Sequence, residues 1–91
     1  MAKLLSLATK LDTAATAKLR SDLEAASAED IVFDGSQVEQ LGALAVELLL
    51  SAVVLWRKAG QTISFENTSQ QMIDDLGRMG LTPETLQEYV A

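Results

Sequence analysis

The apolar residues of this chain change period several times, and that alternation constrains its fold more than any other feature. Ile31-Val32-Phe33 is a compact β-forming run without polar alternation, the pattern of a central parallel strand covered on both faces. Lys3 to Ala8 reads as a short strand ahead of it. Thr62-Ile63-Ser64-Phe65-Glu66 alternates as a third strand, with Ile63 and Phe65 inward. Helical spacing fills the gaps. Ala15, Leu19, Leu23 and Ala26 form one stripe of a helix from about Thr13 to Ala26, with Asp12 or Thr13 as its N-cap. A second helix, roughly Gly42 to Ala59, is apolar nearly all round, and Gly60 sits where a left-handed C′ residue is common. Ser69 is placed to cap a third helix with the stripe Met72, Ile73, Leu76 and Met79, which Gly80 stops. Thr82-Pro83 opens a last short helix with Leu86, Tyr89 and Val90 facing in.

Strands alternating with helices predict an α/β fold with a mostly parallel sheet. Residues 1–91 are expected to form one domain, since the Pro and Gly positions punctuate elements and separate nothing larger. The residues up to Leu7 are too short and interrupted for a signal peptide, and the apolar run from Leu41 to Trp56 is broken by Glu47 and Ser51. A cytoplasmic protein with no membrane insertion is therefore expected.

Composition narrows the chemistry. The formal net charge is −6, which speaks against nucleic acid or an anionic membrane as the main partner. The chain has no Cys and no His, so disulfides, thiolate metal sites, thiol catalysis and imidazole bases are excluded. No phosphate-binding glycine loop occurs. The adjacent carboxylates Glu29/Asp30 and Asp74/Asp75 point apart. No enzyme activity, cofactor or metal is expected. The acidic residues Glu66, Asp74, Asp75, Glu84 and Glu88 read as a solvated face, Trp56 as core packing against the last helix, and Asp34 as a turn former.

The segment from Asp34 through the loop to the second helix lies where open α/β sheets present their binding crevice. The apolar surplus of that helix, which the sheet alone does not use, calls for another helix, a partner or a weak homodimer.

Asp34-x-Ser36-x-Val38, followed by a loop and a long apolar helix, resembles the STAS domain of anti-sigma-factor antagonists, and Lys10-Leu11-Asp12 is similar to that family's entry into its first helix. The resemblance implies a small, mostly parallel sheet with helices packed mainly on one side. Typical members carry Asp-Ser-Ser-Gly or Asp-Thr-Gly-Gly at the loop, and a partner kinase phosphorylates the first hydroxyl residue. Here the matching stretch is Gly42-Ala43-Leu44-Ala45. Ala43 stands at the phosphoacceptor position, so no phosphoacceptor is expected there, and Ser36 matches a structural serine.

Val38-Glu39-x-x-Gly42-Ala43, Leu49-Leu50, Trp56 and the Leu76-Gly77-x-x-Gly80-Leu81 turn are further similar to small STAS proteins of bacterial chemotaxis gene clusters. This implies an adaptor that binds a chemotaxis histidine kinase or its response regulator through Ser36, Val38, Glu39, Gly42, Ala43, Leu44 and Glu47. The alternatives are an anti-sigma-factor antagonist binding an anti-sigma kinase and the small STAS subunit of a lipid-transport ATPase complex. If this loop docks a partner, arginine at Gly42 is expected to block it, and an exposed helix start to tolerate it.

Overall fold

The computed structural model describes residues 2–90; Met1 and Ala91 lie outside the described residues. The elements run β1 (Lys3–Ser6), β2 (Lys10–Leu11), α1 (Thr13–Ala25), β3 (Ile31–Asp34), β4 (Gln40–Leu41), α2 (Ala43–Lys58), β5 (Ile63–Glu66), α3 (Gln70–Arg78) and α4 (Pro83–Gln87). The three longer strands make one parallel sheet in the order β1-β3-β5, and β2 pairs with β4 in a separate parallel ribbon. That ribbon was not expected. Two residues on each side carry no readable period, and their pairing depends on a partner some thirty positions away.

Register explains which face of the sheet is buried. Leu5 aligns with Phe33 and Phe65, and the row beside it aligns Lys3 with Ile31 and Ile63. Ile31, Phe33 and Ile63 are buried and Leu5 and Phe65 partly so, with the two phenyl rings stacked at 5.6 Å between centroids. The alternate row, Leu4, Val32 and Ser64, points the other way. Leu4 is 66% exposed there, and Val32 and Ser64 are only half-buried. The expectation that Ile31-Val32-Phe33 is covered on both faces is thus corrected. A β-branched residue fits a pleated strand whether or not its face is covered, so the unbroken run signalled a strand without signalling burial.

The helices cover the core face. Asp12 caps α1 by accepting from the Ala15 backbone N–H at 3.0 Å, and Leu19, Leu23 and Ala26 are buried. α2 buries Ala45, Val46, Leu49, Ala52, Val53 and Trp56, so a single arc of this nearly all-apolar helix enters the core. It ends at Gly60, whose φ of 77° is left-handed and spares the chain the strain of a side chain in that region. Trp56 is buried as core, but its indole donates to the Glu29 carbonyl at 2.8 Å. That bond ties it to the segment before β3. Among the described residues no helix is long and apolar enough to cross a membrane.

The C-terminal helices depart from expectation on one side each. Ser69 caps α3, accepting from Met72 N–H at 3.0 Å. The buried stripe of α3 is Met72, Asp75 and Leu76, while Ile73 and Met79 are exposed. In α4, Leu86 is fully buried, but Tyr89 and Val90 face outward. The helix stops at Gln87, so those two residues leave the helical period that would have turned them in. Arg57 instead donates to the Gln87 and Tyr89 carbonyls, and Gln87 accepts the Phe65 backbone N–H at 3.0 Å. That contact closes the outer edge of β5.

Leu49 lies at the centre of the buried arc with no exposed surface. Leu49→Ala is expected to lower stability by about 3 kcal/mol through lost burial and a residual cavity. The readout is a reduced urea midpoint with unchanged slope. A loss below about 1 kcal/mol would mean that this layer collapses around the deletion.

Candidate functional site

Between β3 and α2 the chain makes a loop whose backbone is held at nearly every residue. Asp34 accepts the Ser36 N–H at 2.9 Å, closing a tight Asx turn at the strand end. Gly35 donates to the Glu66 carbonyl at 2.9 Å and accepts from Ser69 N–H at 3.1 Å. Glu39 and Gln40 both donate to the Thr9 carbonyl, at 2.7 and 3.1 Å, and Gly42 donates to the Leu11 carbonyl at 3.1 Å. A loop bonded in this way to three other segments presents its outer side chains on a fixed frame.

Two side chains of α3 complete the frame from beneath. The Ser69 hydroxyl, besides capping its own helix, donates to the Val38 carbonyl at 2.6 Å. Asp75, only 5% exposed, accepts the Leu41 N–H at 2.9 Å from a position 34 residues away. Its other oxygen takes the Gln71 amide at 2.9 Å and the Arg78 guanidinium. A buried carboxylate needs such partners, because removing the charge from water is costly unless hydrogen bonds replace the lost hydration. Asp75 is therefore a positioning residue for the loop, and its place in a solvated acidic face is corrected. Asp74 does lie on that face, bonded to Gln70. The two carboxylates point apart as their adjacency in a helix requires.

The residues proposed from sequence divide into two groups. Ser36, Glu39, Ala43, Leu44 and Glu47 are exposed, with Leu44 at 56%, and Gly42 is half-buried. Val38 is 1% exposed. Its side chain is core, so it anchors the loop and presents nothing to a partner. Gly42 is also not the open position expected. A β-carbon there would meet the Leu11 carbonyl oxygen at 2.9 Å, so arginine at this site would disturb the β2–β4 ribbon before any partner arrived. Ala43, exposed and already carrying a β-carbon, is the better place to add bulk.

Leu44 and Glu47 do not stop at the loop. They line an open groove between α1 and α2 with Thr13, Thr16, Arg20 and Leu48. The α1 side of this groove was missed because its residues read as an ordinary polar helix face; only the packing of α1 beside α2 brings them to the loop. No hydroxyl stands at position 43. Ser36 is the exposed hydroxyl of the loop, with its own N–H committed to Asp34.

The Asp34 carboxyl is held below its ordinary value of 3.8 by the Ser36 backbone N–H first and the Ser36 hydroxyl next; slight desolvation opposes them, and the Asn67 side chain adds a smaller pull. A depressed folded value means that the turn's stabilisation is present above the unfolded value and is lost as pH falls through the folded one. An NMR titration is expected to place the Asp34 midpoint below 3.8. A midpoint at or above that value would show that the turn is not closed in solution. Asp75→Ala, which strands the buried Leu41 N–H, is expected to cost about 2–3 kcal/mol and to speed hydrogen exchange at that amide. Unchanged stability with a protected Leu41 amide would remove Asp75 from its positioning role.

A family model described as "Mlab, STAS domain" matches residues 2–88. No curated protein and no solved structure matched the chain. STAS domains are generally non-catalytic. With a match over nearly its whole length, and with a parallel sheet, one covered face and a braced loop before a long apolar helix, this chain belongs to the STAS domain family.

Proposed function

We propose that this STAS domain is a non-catalytic interaction module of bacterial signalling that docks on a histidine-kinase-like ATPase. The intended partner is a cytoplasmic chemotaxis kinase, or the response regulator that kinase serves. The docking surface consists of Ser36, Glu39 and Ala43, continued by Leu44 and Glu47 into the groove beside α1. The observation that carries this reading is the loop itself. It is braced through its backbone by Thr9, Leu11, Ser69 and Asp75, yet the Glu39 and Ala43 side chains that it holds outward are exposed. A rigid, exposed surface of mixed polar and apolar character suits recognition, because little ordering entropy is lost when a partner binds.

The substitution at position 43 decides how such binding is controlled. A methyl group accepts no phosphate, so binding follows the amount of protein and is not switched at this position. Recovery of partners from the native cytoplasm, with the wild type and Ala43→Arg as baits, tests the surface. The expected result is a chemotaxis kinase or its regulator on the wild type, with recovery on the variant reduced about tenfold or more, the effect of losing roughly 1.4 kcal/mol of binding. An anti-sigma kinase or a transporter ATPase recovered in its place transfers the function to that class. Equal recovery on both baits overturns the surface. Incubation with the recovered kinase and ATP is expected to leave the wild type unlabelled, and stoichiometric phosphate on Ser36 would refute unswitched binding.

A further inference from the structure

The outer face of α2 carries a pattern that runs well beyond Leu44 and Glu47, the two residues the docking surface takes from it. Opposite its buried arc the helix presents Leu44, Glu47, Ser51, Val54 and Lys58, at intervals of three and four residues, the spacing of a coiled-coil seam. Leu50 and Leu55 flank that seam. Leu44 and Leu55 are 56% and 60% exposed, Leu50 and Val54 are half-buried, and Glu47, Ser51 and Lys58 are exposed. Grooves run along both sides of the helix, one against α1 and one toward Tyr89, so the seam stands as a ridge that another helix can straddle.

The charges on this ridge say which helix. Glu47 and Lys58 lie three turns apart on nearly one line, and among the described residues neither takes part in an ion pair. A second α2 laid antiparallel, with a two-fold axis crossing the outer face at the level of Ala52 and Val53, brings Glu47 of each copy against Lys58 of the other. The same operation sets Ser51 against Val54, the small side chain facing the branched one. A self-complementary patch of this kind is what a two-fold interface requires. Parallel pairing in register opposes Glu47 to Glu47 and Lys58 to Lys58, and a slip of one turn loses both charge pairs.

We propose that a second copy of this chain docks on the outer face of α2 in this antiparallel register, with reciprocal Glu47–Lys58 pairs closing its two ends. Each copy carries a net charge of −6, so association works against general repulsion and the register depends on those pairs. The proposal does not rest on the partner assignment above; Glu47 is common to both surfaces, so a second copy and a signalling partner compete for that end of α2.

Sedimentation equilibrium of the full chain up to about 1 mM, the concentration matching a binding free energy near −4 kcal/mol, tests it. The wild type is expected to show a reversible monomer–dimer equilibrium. Glu47→Lys and Lys58→Glu each turn two attractive pairs into two repulsive ones and are expected to weaken the dimer about tenfold or more. The Glu47→Lys/Lys58→Glu double variant restores it, and an equimolar mixture of the two single variants forms a heterodimer in which both pairs are again opposite in sign. Circular dichroism of every variant separates loss of association from loss of fold, and the mixture reports directly on two chains that are each folded. A wild type that stays monomeric over this range overturns the proposal. So does a mixture that associates no more tightly than its components.

Discussion

Everything in this molecule is arranged around a parallel sheet that has only one covered face. Parallel strands need long crossovers, and a three-stranded sheet of four-residue strands buries too little by itself. α2 supplies the cover by laying Leu49 and its neighbours over the row of Phe33, Phe65, Ile31 and Ile63. Because a helix turns one arc at a time toward a flat sheet, the rest of a nearly all-apolar helix must face something else. Part of it meets α1, and part is left on the surface as the ridge between two grooves.

The loop before α2 illustrates how recognition surfaces are made rigid without secondary structure. Its backbone groups are satisfied by residues from three other segments: Thr9 and Leu11, Glu66, and the Ser69 and Asp75 side chains of α3. This arrangement leaves the outward side chains free while fixing where they point. It also explains why a glycine precedes the helix. The Leu11 carbonyl approaches so closely that a β-carbon at position 42 would displace it.

Much of this was legible before any coordinates. The parallel α/β order, the caps Asp12 and Ser69, the left-handed Gly60 and the core positions Leu19, Leu23, Phe33 and Leu86 follow from period, capping chemistry and turn preference, all of which act over a few residues. The exposed members of the candidate surface were also picked out, through the strand–loop–helix order and the resemblance carried by Asp34, Ser36 and Gly42-Ala43. What escaped depends on long-range partners. Val38 has the same local context whether it points in or out. Asp75 looks like half of a solvated pair until the Leu41 N–H is brought to it from 34 residues away.

The sequence by itself determined that this is a mostly parallel α/β chain without imidazole or thiol chemistry, with no hydroxyl at the helix start and with more apolar helix surface than one sheet can cover. Those properties follow from residue identity and local spacing. Tertiary structure alone decided that Val32 lies on the open face of the sheet, that α3 holds the loop through a buried carboxylate and a serine, and that α1 adds a wall to the groove. Each of these depends on which distant groups share a neighbourhood, and the burial of a side chain or the pairing of an N–H has no value until the rest of the chain is in place.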